Sequence, residues 1–218
     1  MMINLGLSGS SGKPLVVLCL GCHSDDIEIG CGGTILRLIE EQPNCRFYWA
    51  VFSAIGTRRA EAQRAAKLFV GSKRLEHLLL KQFRDGFMPF VGSDVKAAFE
   101  AMKKTIFPDI IFTHFRRDAH QDHRLLSELT WNTFRNHLIL EYEIPKYDGD
   151  LGQPNFFVPL KKEIYRKKIR YLMEGFATQR PKHWFTEDTF LALMRLRGME
   201  CIAPSGYAEA FYCRKLVV

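Results

Sequence analysis

Apolar and amphipathic segments alternate along the first half of the chain. Short apolar runs predict buried strands at 14–22, 45–53, 74–80 and 109–115. Stretches with apolar residues at helical spacing predict helices between them, at 28–42, 57–71 and 93–107. Ser93 is the expected N-cap of the last of these helices, and Pro108 is expected to end it. Strands and helices in alternation favour a parallel, doubly wound sheet with right-handed crossovers.

The second half of the chain has a more mixed pattern. Strands are predicted at 140–145, 155–160 and 208–218, and helices at about 161–174 and 187–197. We find no internal repeat, low-complexity segment or linker, so we expect a single domain over 1–218, with 1–13 as a flexible polar tail. The predicted fold class is α/β, a Rossmann-like, mostly parallel sheet with helices on both faces in a three-layer sandwich.

The composition is that of an ordinary globular protein with a surplus of positive charge. The 218 residues are 47% hydrophobic and 12% aromatic. Lys and Arg outnumber Asp and Glu by 31 to 24, which gives a formal net charge of +7 and a general attraction for anions. The basic residues are scattered, except for a run at 161–170 that we interpret as the solvated face of a helix. We therefore expect no nucleic-acid partner, whereas an anionic substrate is compatible with the charge.

The cysteines and the hydropathy of the chain indicate its environment. In a chain of this length and apolar content, the six cysteines are predicted to be reduced, buried thiols. Cys19 and Cys22 have CxxC spacing, but on a strand this separation directs the two side chains to opposite faces, which argues against a redox role. The sequence has neither a signal-peptide pattern nor an apolar run of membrane-spanning length. We expect a cytoplasmic protein without stable membrane insertion.

The glycines of the segment 30–33 do not match a phosphate-binding loop. The segment lacks both the GxGxxG fingerprint and a Walker lysine, and its glycines fall inside a predicted helix rather than before it. We interpret them as positions where this helix packs closely on the sheet or on the adjacent loop.

Reactive side chains follow the first and fourth predicted strands. His23, Asp25 and Asp26 come directly after the first strand, and His120 and His123 lie in the loop after the fourth. The carboxyl ends of the strands in such a sheet share one edge, and ligands bind there. Histidine nitrogens and carboxylate oxygens are zinc ligands, and a catalytic zinc ion takes three protein ligands and a water. The sequence therefore predicts a metal site at this edge.

The spacing suggests how the cluster divides its tasks. His23 and Asp26 supply two ligands from a tight turn, and the pair His120 and His123 supplies a third. With Asp26 on the metal, Asp25 is free to act as general base, a role that adds about two to four powers of ten in rate. The remaining histidine could stabilise an oxyanion or protonate a leaving amine. Adjacent aspartates before a helix also compensate the helix dipole. The metal-site hypothesis therefore depends on the aspartates and the histidines occurring together at the ends of two neighbouring strands.

Several segments of the chain carry a family resemblance. They are HSDDIEIGCGGT at 23–34, Arg58, Glu61 and Ala65 in a helix, HQDHR at 120–124, FATQ at 176–179, and the closing segment at 207–218. Together they resemble the PIG-L/LmbE-like family of zinc-dependent deacetylases, which remove acyl groups from N-acylated sugars. Ser24 replaces the proline of the family motif and Ile27 replaces an acid found in many members. Neither change removes a ligand, so we expect activity to be retained.

The resemblance implies a role for each site residue. It implies three zinc ligands, His23, Asp26 and His123. It implies three catalytic residues, Asp25 as general base and His120 assisting catalysis with Asp122 behind it. The candidate substrate-binding residues are Arg58, Arg84 and Asp85. For Arg84 and Asp85, the alternative is a solvent-exposed arginine and an Asp-Gly β-turn.

The predicted function is hydrolysis of an N-acetyl group on an amino sugar of the N-acetylglucosamine type, with or without a linked nucleotide or lipid. The predicted mechanism is attack by a water bound to one zinc ion, with Asp25 as the base, and another divalent transition metal is compatible with the same ligands. The alternatives are an O-acetyl esterase or other amide hydrolase on the same site, and a non-catalytic sugar-binding module. The expected partner is a small N-acylated sugar or sugar conjugate. The sequence does not decide the oligomeric state, and a homo-oligomer is compatible with it.

Overall fold

The structure is a computed structural model that describes Gly6 and residues 13–217, so most of the tail predicted at 1–13 lies outside the described residues. The strands are β1 (Val16–His23), β2 (Arg46–Ser53), β3 (Leu75–Leu80), β4 (Ile110–His114), β5 (Leu138–Tyr142), β6 (Phe156–Pro159) and β7 (Ala208–Cys213). The helices are α1 (Asp26–Glu41), α2 (Thr57–Val70), α3 (Gly92–Lys103), α4 (Gln121–Thr133), α5 (Lys162–Gly175) and α6 (Glu187–Glu200). A short 3-10 turn spans Met88–Val91. Within the described ranges, no helix has the length and apolar character needed to cross a membrane.

The strands form one sheet in the order β3-β2-β1-β4-β5-β7-β6. β1 pairs in parallel with β2 and β4, and the parallel pairing extends to β3 on one side and β5 on the other. β7 is antiparallel to both β5 and β6. The strand order reverses at β1, since the chain first builds outward through β2 and β3 and then returns to β4. The carboxyl end of β1 is therefore the topological switch point, where such sheets bind ligands.

Helices cover both faces of the sheet, which confirms the predicted three-layer α/β fold. The core on one face is formed with α1, α2, α5 and α6, and the core on the other with α3 and α4. Cys19 belongs to the first core and Cys22 to the second, as the strand geometry predicted. The six cysteines are unpaired.

The third helix differs from the sequence prediction at both ends. α3 begins at Gly92 rather than after an N-cap at Ser93, and it ends at Lys103 rather than at 107. The 3-10 turn before it carries Pro89 near its start and continues directly into the helix. A proline at the first positions of such a turn has the required φ without needing an N–H donor, so the turn replaces the predicted cap.

The last strand is shorter than predicted. β7 ends at Cys213, whereas the sequence suggested a strand up to 218. The next residue, Arg214, directs its guanidinium to the buried carboxylate of Glu141 in β5, with Nε 2.6 Å from Oε1. Beyond Cys213, the chain is therefore joined to β5 by the side chain of Arg214 rather than by backbone pairing.

The glycines of α1 lie where neighbouring elements approach closely. A Cβ added at Gly30 would overlap the ring of Tyr142, and one added at Gly32 would lie 2.6 Å from the ring of Phe69. The N–H of Gly33 donates to Glu209 Oε1 at 2.8 Å. These contacts confirm that the glycines allow close packing of α1.

The basic segment at 161–170 is solvated on only part of its surface. Lys161 and Lys167 are exposed as predicted, but Lys168 is buried. Its Nζ lies 2.6 Å from Glu209 Oε1 and donates to the carbonyl of Ile29 at 2.5 Å. The interpretation of the segment as a solvated face is wrong at Lys168, because this residue lies on the inner face of α5 and its charge is matched by a buried carboxylate.

Candidate metal centre and its pocket

The junction of β1 and α1 positions three of the predicted site residues within four sequence positions. β1 ends at His23 and α1 begins at Asp26, so both lie at the carboxyl edge of the central strand. Asp25 occupies the N-cap position of α1, but its side chain makes no capping hydrogen bond. Capping therefore does not explain the presence of Asp25, and the carboxylate of Asp25 is available for other contacts.

His23, Asp26 and His123 converge on one point. His23 Nδ1 lies 3.1 Å from His123 Nε2 and 3.4 Å from Asp26 Oδ2. His123 Nε2 lies 3.6 Å from the same oxygen of Asp26. Ligands at about 2.0–2.2 Å from a tetrahedral zinc ion are roughly 3.3–3.6 Å apart. Two imidazole nitrogens and a carboxylate oxygen at these distances fit a single ion of that size.

Each of these three side chains has a further polar neighbour, which forms a hydrogen bond with His123 and with Asp26 but not with His23. His123 Nδ1 lies 2.9 Å from Asp118 Oδ2, and His23 Nε2 lies 2.9 Å from Asp85 Oδ1. Asp26 Oδ2 accepts a hydrogen bond from the backbone N–H of His23 at 2.6 Å. Carboxylates on the far nitrogen of a histidine fix the ring orientation and leave the near nitrogen free to bind a metal.

Burial and mutual charge shift the pKa values of the cluster. Burial lowers the pKa of His123 to about 4, and His114 adds to this effect. Burial alone would raise the pKa of Asp26, but the surrounding histidines hold it well below its ordinary value. Burial likewise lowers the pKa of His23, but Asp26 and other carboxylates outweigh it and raise that pKa well above its ordinary value. An ionised Asp26 and a neutral His123 are the forms that bind a metal, and at His23 a metal would compete with a proton.

Asp25 lies beside the cluster and contacts a cation. Arg58 Nη2 donates to Asp25 Oδ1 at 3.0 Å, and within the described residues this carboxylate has no second hydrogen-bond donor. Burial and the adjacent Asp26 raise the pKa of Asp25, and Arg58 opposes them. A buried carboxylate with a raised pKa and an unengaged oxygen has the properties of a general base.

His120 and Asp122 lie at the same edge, but the two side chains do not form the predicted pair. The backbone N–H of Asp122 donates to His120 Nδ1 at 3.2 Å, which leaves Nε2 as the protonated nitrogen of a neutral ring. The carboxylate of Asp122 instead accepts hydrogen bonds from the backbone N–H groups of Gly86 and Met88, at 2.7 and 3.1 Å. The backbone of Asp122 therefore orients His120, while its side chain anchors the segment that carries Asp85.

The cluster opens into a pocket of about 280 Å³, near the lower end of the range for small-molecule sites. Seven of the predicted site residues line this pocket, namely His23, Asp25, Asp26, Arg58, Asp85, His120 and His123. Arg84 does not line it, because its guanidinium lies over the ring of Phe87, 3.6 Å from the ring centroid.

The opposite wall of the pocket comes from segments that the sequence analysis did not single out. Lys146 and Tyr147 follow β5, and Lys182 and Trp184 precede α6. These residues lie in loops without a motif or a periodic pattern, so no local signal marked them. Gln179, in the FATQ segment, also lines the pocket.

A second group of potential ligands overlaps the first. Cys22 and His114 lie close enough to Asp26 and His123 to share an ion with them. However, burial raises the pKa of the Cys22 thiol well above its ordinary value, which disfavours the thiolate that would bind a metal. His114 Nε2 already accepts the backbone N–H of Cys22 at 3.0 Å. The group formed by His23, Asp26 and His123 is therefore the better candidate, and His114 Nε2 lies next to it, 3.2 Å from Asp26 Oδ2.

The fold and the cluster place the chain among Rossmann-like α/β proteins with a candidate His–Asp–His metal centre at the switch point. The sequence model of the PIG-L family, described as GlcNAc-PI de-N-acetylase, matches residues 18–134, and the chain belongs to this family. The uncharacterized deacetylase YaiS of Escherichia coli K12 is 28% identical over 182 residues, covering 78% of this chain and 96% of YaiS. These matches confirm the family resemblance of the sequence motifs.

Two solved structures share the fold. N,N'-diacetylchitobiose deacetylase from Pyrococcus horikoshii has a TM-score of 0.65 and 20% identity, over 91% of this chain and 83% of that one. GalB, the 4-carboxy-2-hydroxymuconate hydratase of Pseudomonas putida, has a TM-score of 0.71 and 16% identity, over 94% and 98% of the two chains. At these identities the similarity shows the fold alone. The reaction has to be argued from the site, because the two names describe different chemistry.

Proposed function

We propose that this protein is a zinc-dependent hydrolase that removes the N-acetyl group from an amino sugar. The observation that carries the proposal is the convergence of His23, Asp26 and His123 next to the carboxylate of Asp25 in one pocket. Membership of a family described as a de-N-acetylase supports it, as does the similarity to YaiS, which is described as a deacetylase. The chitobiose deacetylase adds an acetylated sugar as a precedent for the substrate class.

In this proposal, His23 Nδ1, Asp26 Oδ2 and His123 Nε2 would hold the zinc ion. When bound, the ion supplies a Lewis acid that lowers the pKa of a coordinated water to about 7 and polarises a carbonyl. A set of three protein ligands would be that of a catalytic rather than a structural zinc site. Asp118 holds His123 in the orientation that directs its Nε2 at this point, and the carboxylate of Asp85 lies 2.9 Å from Nε2 of His23.

Asp25 is the proposed general base. Its Oδ1 is engaged by Arg58, so Oδ2 is the atom that takes the proton from the water attacking the acetyl carbonyl. Arg58 fixes the carboxylate in one orientation and also opposes the rise in pKa that burial causes. The raised pKa brings the base closer to working pH, where a general base is most effective.

His120 is the proposed hydrogen-bond donor to the oxyanion that develops on the acetyl carbonyl. Its Nδ1 accepts the backbone N–H of Asp122, so the proton of the neutral ring is on Nε2. An amine leaves an acyl carbon readily only when protonated, and Asp25, which has taken the proton of the attacking water, would supply that proton to the leaving nitrogen.

The direct test is release of acetate from N-acetylglucosamine and, in parallel, from an O-acetylated sugar. We expect hydrolysis of the amide at the higher kcat/KM, and loss of that activity on removal of zinc with a chelator. Faster hydrolysis of the ester would support the esterase alternative. Binding of the sugars without release of acetate from either would support the non-catalytic module.

A further inference from the structure

Three cationic side chains line the pocket, and carboxylates neutralise two of them. Arg58 Nη2 lies 3.0 Å from Asp25, and Lys146 Nζ lies 3.0 Å from Asp118. Lys182 makes no ion pair with a carboxylate among the described residues, although it lines the same pocket. It therefore provides an uncompensated positive charge within the substrate site.

Lys182 shares its pocket with the proposed reacting groups. The same pocket is lined by Asp25 and His120. Lys182 is exposed, and its Nζ lies 5.5 Å from the ring centroid of Trp184. An anion bound there would lie next to the site of hydrolysis and in contact with solvent.

Two aromatic rings complete this wall. The rings of Tyr147 and Trp184 are 6.4 Å apart at an interplanar angle of 77°. Tyr147 is 67% exposed, although its ring packs against neighbours on one side. Trp184 is half-buried at the same pocket. Aromatic rings at a pocket wall are suited to the apolar face of a ligand.

We propose that Lys182, Tyr147 and Trp184 form a subsite for an anionic group, a phosphate or a carboxylate, carried by the amino-sugar substrate. The aromatic rings pack against the apolar face of a sugar ring, and the ammonium of Lys182 pairs with the anion. The inference rests on the proposed function and adds a charge requirement to it. The formal net charge of +7 also favours the approach of an anionic substrate.

The test compares kcat/KM for sugars that differ in charge. The panel is N-acetylglucosamine as the neutral substrate, its 1-phosphate and 6-phosphate, and N-acetylmuramic acid as the carboxylate. We expect at least one anionic sugar to be preferred by about tenfold or more, the size of one charge-assisted hydrogen bond. The preferred member identifies the anion as a phosphate or a carboxylate.

Variants connect this preference to the subsite. Lys182→Gln should lower the ratio of anionic to neutral kcat/KM to about one, mainly through KM of the anionic sugar, and Lys182→Arg should restore most of the ratio. Lys167→Gln removes an exposed lysine of α5 outside the pocket and should leave the ratio as in the wild type. Tyr147→Ala should weaken binding of neutral and anionic sugars alike. Equal kcat/KM for all sugars, or an unchanged ratio in Lys182→Gln, would overturn the proposal.

A binding measurement separates this proposal from the proposed function. Calorimetric titration of the wild type and of Lys182→Gln with the same sugars reports on the subsite without any turnover. If no sugar releases acetate, the proposed function fails. The subsite proposal then stands if Lys182→Gln selectively weakens binding of an anionic sugar, and it fails if it does not.

Discussion

Arg58 Nη2 lies 3.0 Å from Asp25 Oδ1, so a cation on α2 contacts the carboxylate that α1 presents to the pocket. Arg58 Nη1 also lies 3.6 Å from Asp85, which contacts His23. A single guanidinium therefore lies between the proposed base and the carboxylate next to a proposed metal ligand. The planar fork of arginine allows it to contact two carboxylates at once.

Replacing Arg58 should change the pH dependence of the reaction. Arg58 lowers the pKa of Asp25, so Arg58→Gln raises it, and the base becomes a carboxylate only at higher pH. We expect the acidic limb of the kcat/KM profile to move to higher pH and kcat to fall. In Arg58→Lys the acidic limb should stay close to its wild-type pH, because the positive charge is retained. The value of kcat should fall, because lysine orients the carboxylate of Asp25 less well. An acidic limb at the wild-type pH in Arg58→Gln would contradict the assignment of Asp25 as the base.

Asp118 should tune metal affinity without being a ligand. It holds His123 Nδ1 at 2.9 Å, and loss of such a partner typically reduces metal affinity by about 10–100-fold. Asp118→Asn should show this loss in a zinc titration against a competing chelator. The control is Asp94→Asn, which removes an exposed carboxylate of α3. Equal zinc affinity in the two variants would argue against His123 as a ligand.

Glu61 connects α2 to the loop that carries Lys182 and Trp184. Its buried carboxylate accepts hydrogen bonds from the backbone N–H of Thr178 at 2.9 Å and from the Thr178 hydroxyl at 2.5 Å. Glu61→Ala should lower the free energy of unfolding by about 1.5–3 kcal/mol, the contribution of hydrogen bonds to a charged group. Because the loop forms one wall of the pocket, Glu61→Ala should raise KM by a larger factor than it lowers kcat. Glu61→Gln should recover part of the free energy of unfolding and part of the KM. A drop in kcat at constant KM would show that Glu61 does not act through this wall.

Lys168 and Lys167 are adjacent on α5 and provide a matched pair for stability measurements. Lys168 is buried against Glu209, and Lys167 is exposed. Lys168→Met leaves the carboxylate of Glu209 buried without its cation. The free energy of unfolding, measured in urea, should fall by about 3–5 kcal/mol. Lys167→Met should stay within about 0.5 kcal/mol of the wild type. Similar effects of the two substitutions would mean that the buried ion pair contributes little.

The convergence of the candidate metal ligands could be predicted from sequence because these residues lie in two short motifs at the ends of strongly apolar strands. The opposite wall could not, since the positions of Tyr147 and Lys182 depend on how the loops around α5 and α6 pack over the sheet. Arg84 and Asp85 illustrate the same limit within one turn. Gly86 adopts a φ of 78°, and in this turn Asp85 reaches His23 while Arg84 lies over the ring of Phe87. Sequence alone does not tell which of two adjacent polar residues faces the site.

The most direct test of the central claim is to measure zinc content and acetate release together in the wild type, Asp25→Asn and His23→Ala. We predict that Asp25→Asn retains about one zinc per chain but loses about two to four powers of ten in kcat, because it lacks only the base. His23→Ala should lose both the zinc and the activity, because it lacks a ligand. Full activity in Asp25→Asn, or a wild-type protein that binds no zinc, would contradict the division of tasks between the two adjacent aspartates.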